Sequence, residues 1–312
     1  MKNNALMKRP VRERLAYIET IRIWYPRMRA IFEAIETTYD LNEISAEPQC
    51  LMITGPTGVG KSTLVKSYCE LHLPVVTNEV TYHPVLYVTV PAKATIRNLA
   101  TKMLLAIGDP LPAKGTIGNQ ELRLLGFLNT CKVEMMIVDD LQHFVDRDSE
   151  KVLHAISNWL KNLVKEAEVA CVFAGLPEAE EVLLANPQLG RLFGDPYVLS
   201  PFDWKPDQPQ TATEFRTFLK TLEDMLLLPQ TMPLTDIEMA WRCYVATEGN
   251  MAYLMNLIRR AAHYAVLREH PALDMSLLAE AFDNRLAGKR RGISNPFVGN
   301  LPPIPKLKGG KL

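Results

Sequence analysis

Two periodicities divide this chain. Short apolar runs at Cys50–Thr54, Val85–Val90, Met135–Val138, Val169–Ala174 and Tyr197–Leu199 read as strands, and their unbroken character is that of strands buried on both faces of a parallel sheet. Between them, apolar positions recur at helical spacing over Thr63–Leu71, about 95–107, about 119–131, Ser149–Lys165 and, opened by a proline, Pro177–Ala185. Ahead of the first run, residues 10–39 place Leu15, Ile18 and Ile21 on one stripe, and Pro26 then opens a second helix carrying Met28, Ile31, Phe32, Ile35 and Tyr39. This helical pair either packs against the strand-bearing region or docks a partner. Beyond Thr211 the pattern is helical at about 212–228, 235–247, 250–268 and 275–286. Four regions are expected: a helical arm (1–45), an α/β domain (46–205), a helical domain (206–287) beyond a Pro/Asp-rich linker, and a basic flexible tail (288–312).

Composition narrows the class. With 312 residues and 47% apolar content, the chain can bury one large core or two modest ones. Thirty-five basic and 35 acidic residues cancel, so overall charge points to neither nucleic acid nor membrane. The distribution is uneven, however. Seven Lys/Arg and no acid lie between Arg285 and Leu312, and five basic residues with one acid lie in the first fourteen. From Pro91 to Cys131, Lys93, Arg97, Lys102, Lys114 and Arg123 outnumber Asp109 and Glu121; this is either a solvated helix face or a surface for the DNA backbone. The five cysteines are scattered without a C-x-x-C pair, as expected of reduced core residues in a cytosolic protein, and no run reaches the length of a membrane span. Within the tail, Asn295-Pro296-Phe297 sits in a Gly/Pro-rich setting that suits either a flexible arm or a peptide for a partner.

The chemistry is concentrated after the first strand. Gly55-Pro56-Thr57-Gly58-Val59-Gly60-Lys61-Ser62, with Thr63 next in the chain, fits the phosphate-loop pattern. Glycines let backbone N–H groups approach phosphate, Lys61 brings a point charge to the outer phosphates, and the Ser62 hydroxyl is a ligand for Mg²⁺. The strand before and the helix after aim a helix N-terminus at the nucleotide. The run Met135–Val138 ends in Asp139 and Asp140, the second signature of phosphate-loop NTPases. Asp139 is expected to act on Mg²⁺, whose hardness calls for oxygen ligands. Asp140 stands where such ATPases often carry a glutamate that orients water; one methylene shorter, it predicts slow hydrolysis.

These motifs and their order resemble the AAA+ ATPases and, within them, the TniB/TnsC-like transposition regulators. The likeness runs from about Glu13 to Arg268, through ERLAYIETIRIWYPRMRAIFEAIE, GPTGVGKST, VEMMIVDDLQHF, GLPEAEEVLLANPQLGRLF, the Leu199–Trp204 turn and EGNMAYLMNLIRRAAHYAV. It implies an AAA+ P-loop fold with a five-stranded parallel sheet and a C-terminal helical lid, with ATP and Mg²⁺ bound at the seam between subunits. It further implies a cytoplasmic protein that assembles as a ring or helical filament on duplex DNA, meets a TniQ-like target selector, and recruits or activates a DDE transposase. By motif position, Arg191 in QLGRLF is the arginine finger reaching a neighbour's γ-phosphate, or else it pairs with an internal carboxylate. Lys93, Lys102 and Arg123 are placed toward the DNA. Two departures stand out: VACVFAG ends without a polar sensor side chain, and no arginine closely follows Gly249-Asn250. Other readings of the loop are a small-molecule kinase, a protein-remodelling or signalling switch, and a helicase-loader-like ATPase.

Overall fold

A computed structural model of the chain describes residues 9–92, 94–145, 150–290, 292–300 and 303–305. Its elements, in chain order, are α1 (Val11–Thr20), α2 (Pro26–Asn42), β1 (Cys50–Thr54), α3 (Lys61–Cys69), β2 (Val75–Val76), β3 (Thr81–Tyr82), β4 (Val85–Thr89), α4 (Ile96–Ile107) and α5 (Ile117–Thr130). Next come β5 (Met135–Asp139), α6 (Glu150–Ala167), β6 (Ala170–Gly175), α7 (Glu181–Leu184), α8 (Pro187–Gly190) and β7 (Tyr197–Val198). The last four helices are α9 (Pro209–Leu226), α10 (Ile237–Thr247), α11 (Met251–Leu267) and α12 (Met275–Arg285). None of the helices among the described residues is long and apolar enough to cross a membrane.

The elements form two compact units, Pro26–Ser200 and a second built from the segment before Pro26 together with that from Pro201 onward. In the first, five parallel strands run in the order β4-β5-β6-β1-β7. Every residue of β5 and β6 is buried, which is why those strands read as unbroken apolar runs rather than alternating ones. The strand order reverses around β1, and a crevice outside the carboxyl ends of the strands at such a reversal is where open α/β sheets hold ligands. The segment expected as a loop, Pro74–Pro84, contains the small antiparallel pair β2-β3. Its turn is closed by Thr77, whose hydroxyl donates to the Val80 carbonyl and accepts the Val80 N–H.

In the second unit, α1 joins the C-terminal helices. Tyr25 packs against Phe202 and Phe218, the Tyr17 hydroxyl donates to the Met225 carbonyl, and Arg259 Nη2 donates to the Ile21 carbonyl at 2.7 Å. The expected arm of residues 1–45 is thereby split at Pro26, because Ile18 of α1 and the following Ile21 are buried in the helical unit while the apolar stripe of α2 belongs with the sheet. Side-chain caps set the helix starts: Asp236, Asn250 and Asp274 accept first-turn N–H groups of α10, α11 and α12.

Residues 292–300 of the expected tail also depart from expectation, while 291, 301–302 and 306–312 lie outside the described residues. Asn295 donates to the Ala279 carbonyl and to Asp283 and accepts the Phe297 N–H, while Phe297 is buried at 4% exposure near Phe282. Arg242, itself buried, donates to the Pro296 carbonyl at 2.6 Å. Residues too polar to fold alone are ordered here by a preformed helical surface, so Asn295-Pro296-Phe297 is already engaged within its own chain.

Candidate nucleotide site

The phosphate loop leaves the carboxyl end of β1. Gly55 has φ 156°, and a Cβ there would stand 2.0 Å from the Leu199 carbonyl oxygen, so the segment after β7 presses on the loop where only glycine fits. Gly58 (φ 85°) and Gly60 (φ 105°) take left-handed conformations that turn the chain into α3. No side chain among the described residues caps α3, which leaves its first N–H groups turned to whatever lies in the loop, with Ser62 and Thr63 in the opening turn. Val59 is buried and pins the loop from below; Pro56 and Thr57 are exposed at its tip. Lys61 is buried and folds back to donate to the carbonyls of Gly55 (2.6 Å) and Pro56 (3.0 Å). Burial lowers its pKa, opposed by the charges of Asp139 and Asp140, which places both carboxylates in its field.

Asp139 ends β5 and is 1% exposed. Its Oδ2 accepts the Tyr87 hydroxyl at 3.1 Å, and its Oδ1 the Asp140 N–H at 2.9 Å. Burial, then the charge and hydrogen bond of Asp139, push the Tyr87 phenol well up. Asp140 adopts φ 60°, ψ 38°, and its Oδ1 accepts from Gln142 Nε2 at 3.1 Å. Tyr87 and Gln142 were not visible as site residues in the sequence. A lone phenol inside an apolar strand is a signal that it has a partner, and Gln142 is a buried amide flanked by the buried apolar Leu141 and Phe144 of its turn.

Among the described residues no cluster of three or more His, Cys, Asp or Glu forms a cage; Mg²⁺ bound with substrate phosphates and water needs only one or two protein oxygens, and buried Asp139 and the hydroxyl of Ser62 are the residues that would supply them.

Arg191 caps the end of α8 and is exposed, and among the described residues its side chain makes no hydrogen bond or ion pair. An internal carboxylate partner is therefore absent from the described residues. A parallel bridge joins Phe193 to Cys50, the first residue of β1. The Arg191 segment thus lies at the end of β1 remote from the phosphate loop, about 13 Å away along the strand.

The expected DNA contacts divide. Lys93 lies outside the described residues. Lys102 is exposed on α4 and makes no side-chain hydrogen bond or ion pair among the described residues. Arg123 is bound into the fold: it holds Asp109 Oδ2 through Nε (3.0 Å) and Nη2 (2.9 Å) and donates to the carbonyls of Lys114 and Leu111. Arg97 donates to the carbonyls of Ala113 and Gly115, and buried Gln120 to that of Pro112. These side chains clasp the α4–α5 loop and present Lys114 at its exposed surface.

Sheet order, phosphate loop and tandem carboxylates define the AAA+ P-loop NTPase fold. Solved structures with this fold include the Aeropyrum pernix ORC2 protein in its ADP form (TM-score 0.60, 16% identity, covering 88% of this chain and 73% of that one). Another is the A. pernix ORC1 protein in complex with DNA (TM-score 0.57, 18% identity, 83% of this chain and 64% of that one). A third is the Cdc6p protein of Pyrobaculum aerophilum (TM-score 0.58, 13% identity, 85% and 69%). This chain therefore spans under two thirds of the length of the DNA-complexed protein. The model of the bacterial TniB protein family matches residues 14–203, and the chain belongs to that family. No curated protein matches it.

Proposed function

We propose that this protein is an ATP-dependent DNA-binding regulator of transposition, which assembles on duplex DNA at a target site and recruits or activates a DDE transposase. The observation that carries the reading is the TniB-family match over a chain segment whose phosphate loop and carboxylates converge on one buried lysine. A TniQ-like selector protein is the proposed source of target choice.

In this reading the loop N–H groups and Lys61 bind the phosphates of ATP. Lys61 exchanges its carbonyl partners for the outer phosphates, so the charge costs little reorganisation when the ligand arrives. Ser62 and Asp139 would hold Mg²⁺, which would supply charge neutralisation at the phosphates. Asp139 is kept in register by Tyr87, and Asp140 orients the attacking water, slowly, because its reach is short. Arg191, exposed and far from its own loop, acts on the nucleotide of a neighbouring copy, which makes the subunit seam part of the site. Lys93 and Lys102 contact DNA phosphates, while Arg123 shapes the loop that carries Lys114. Such contacts give little sequence selectivity and a steep salt dependence.

The test is electron microscopy of the full chain with duplex DNA and a non-hydrolysable ATP analogue, beside a Lys61→Ala control. Rings or filaments that need both nucleotide and DNA, and that are lost in the control, are expected. Absence of nucleotide-stimulated duplex binding at low salt would refute the proposal.

A further inference from the structure

We propose that Gln142 is the positioning residue for Asp140, and that it stands in for the polar side chain that β6 lacks at its end. Gln142 lies in the 3-10 turn Leu141–Phe144, immediately beyond Asp140, and is 9% exposed. Both ends of its carboxamide are used: Nε2 donates to Asp140 Oδ1 at 3.1 Å, and Oε1 accepts the Leu176 N–H at 3.1 Å. The orientation of the amide is unambiguous, since a backbone N–H only donates and so takes the oxygen, which turns the NH₂ toward the carboxylate.

Space for this bridge comes from Gly175, the last residue of β6. A Cβ at that position would meet the Ala179 Cβ at 2.6 Å and Gln142 Oε1 at 2.9 Å. A side chain at the strand end and the glutamine amide therefore exclude one another. The sequence that omits a polar residue at the end of β6 places one two residues after Asp140 and sends it into the same volume. Asp140 gains from this in a specific way. One oxygen is tied to Gln142, which leaves the other to receive the proton of a water, and the rotation of the carboxylate is coupled to the backbone at Leu176. A carboxylate one methylene shorter than glutamate can orient water only if its own rotation is restrained.

The inference rests on the proposed reading of Asp140 as the water-orienting group, and the experiment separates the two. The full chain and its Gln142→Met and Gln142→Glu variants are compared for affinity toward a fluorescent ATP analogue, for single-turnover hydrolysis, and for nucleotide-free thermal midpoint from pH 5.5 to 8.5. All three are expected to bind nucleotide alike. Hydrolysis falls about tenfold or more in Gln142→Met at every pH. Gln142→Glu falls similarly at pH 8.5 and recovers as pH drops, because two adjacent carboxyls share a proton and the protonated Glu again donates to Asp140. Its nucleotide-free midpoint also declines toward high pH more steeply than that of the native chain. A Met variant that hydrolyses at the native rate, or a Glu variant whose rate and midpoint follow the native pH profile, would overturn the role of Gln142. A native chain that neither binds nor hydrolyses ATP would overturn the nucleotide reading and this role with it.

Discussion

Arg123 separates a structural role from a DNA contact, and the structure sets the size of the effect. Its side chain is 33% exposed, while the Asp109 side chain it holds is 4% exposed. In Arg123→Met, Asp109 keeps only the Leu111 N–H, at 2.9 Å, among its described side-chain partners. Removing one member of a buried ion pair costs about 3–5 kcal/mol, and partial exposure of the arginine reduces this to ~2 kcal/mol. The loss falls on the α4–α5 loop, so amide hydrogen exchange over residues 108–116 should accelerate roughly 30-fold while the strands of the sheet exchange as before. Asp109→Asn combined with Arg123→Met should recover part of the protection, because a neutral amide is cheaper to leave without a cation. A phosphate contact behaves differently: its loss would weaken duplex binding at low salt and lower the salt slope by about one, with exchange in the loop unchanged. Native exchange rates over 108–116 in Arg123→Met would refute the clasp.

Three other perturbations have expected outcomes. Tyr87→Phe removes a hydrogen bond to buried Asp139, and is expected to cost about 1 kcal/mol and to weaken Mg²⁺-dependent, but not Mg²⁺-free, nucleotide binding; identical Mg²⁺ dependence in calorimetry would contradict this. Arg242→Met frees the Pro296 carbonyl, so exchange over 293–299 should rise about tenfold with α11 unaffected, and native protection there would count against the anchoring. Burial pushes the thiols of Cys50 and Cys243 up to about 12, from an ordinary value of 9.0. The folded chain keeps protons that the unfolded chain releases, so their contribution to stability is complete below pH 9 and fades between 9 and 12. The urea midpoint should fall across that window, and fall less in Cys243→Ala; equal declines would refute it.

What the sequence disclosed and what it hid have physical reasons. The five strands and the phosphate loop were legible because unbroken apolar runs and fixed glycine spacing are local properties of a chain. Affiliation was not: the stripe of α1 announces that it packs, but the partner, α11 or the sheet, lies more than 200 residues away in the first case and fewer than 40 in the second. Arg123 showed its charge but not Asp109, which reaches it only when α4 and α5 lie side by side. Tyr87 and Gln142 were hidden for the same reason, since each acts across a turn or a strand boundary. Residues 292–300 misled because a composition unable to fold alone says nothing of folding on a surface already present.

The backbone of Asp140 carries a consequence for anyone selecting this protein for heat tolerance. At φ 60° a residue with a Cβ gives up roughly 1 kcal/mol that glycine would keep. A screen scored on melting alone would therefore drift at position 140 toward residues without the carboxylate proposed to orient water. Heat tolerance and turnover would pull that one position in opposite directions, and libraries built on this chain should hold Asp140 constant.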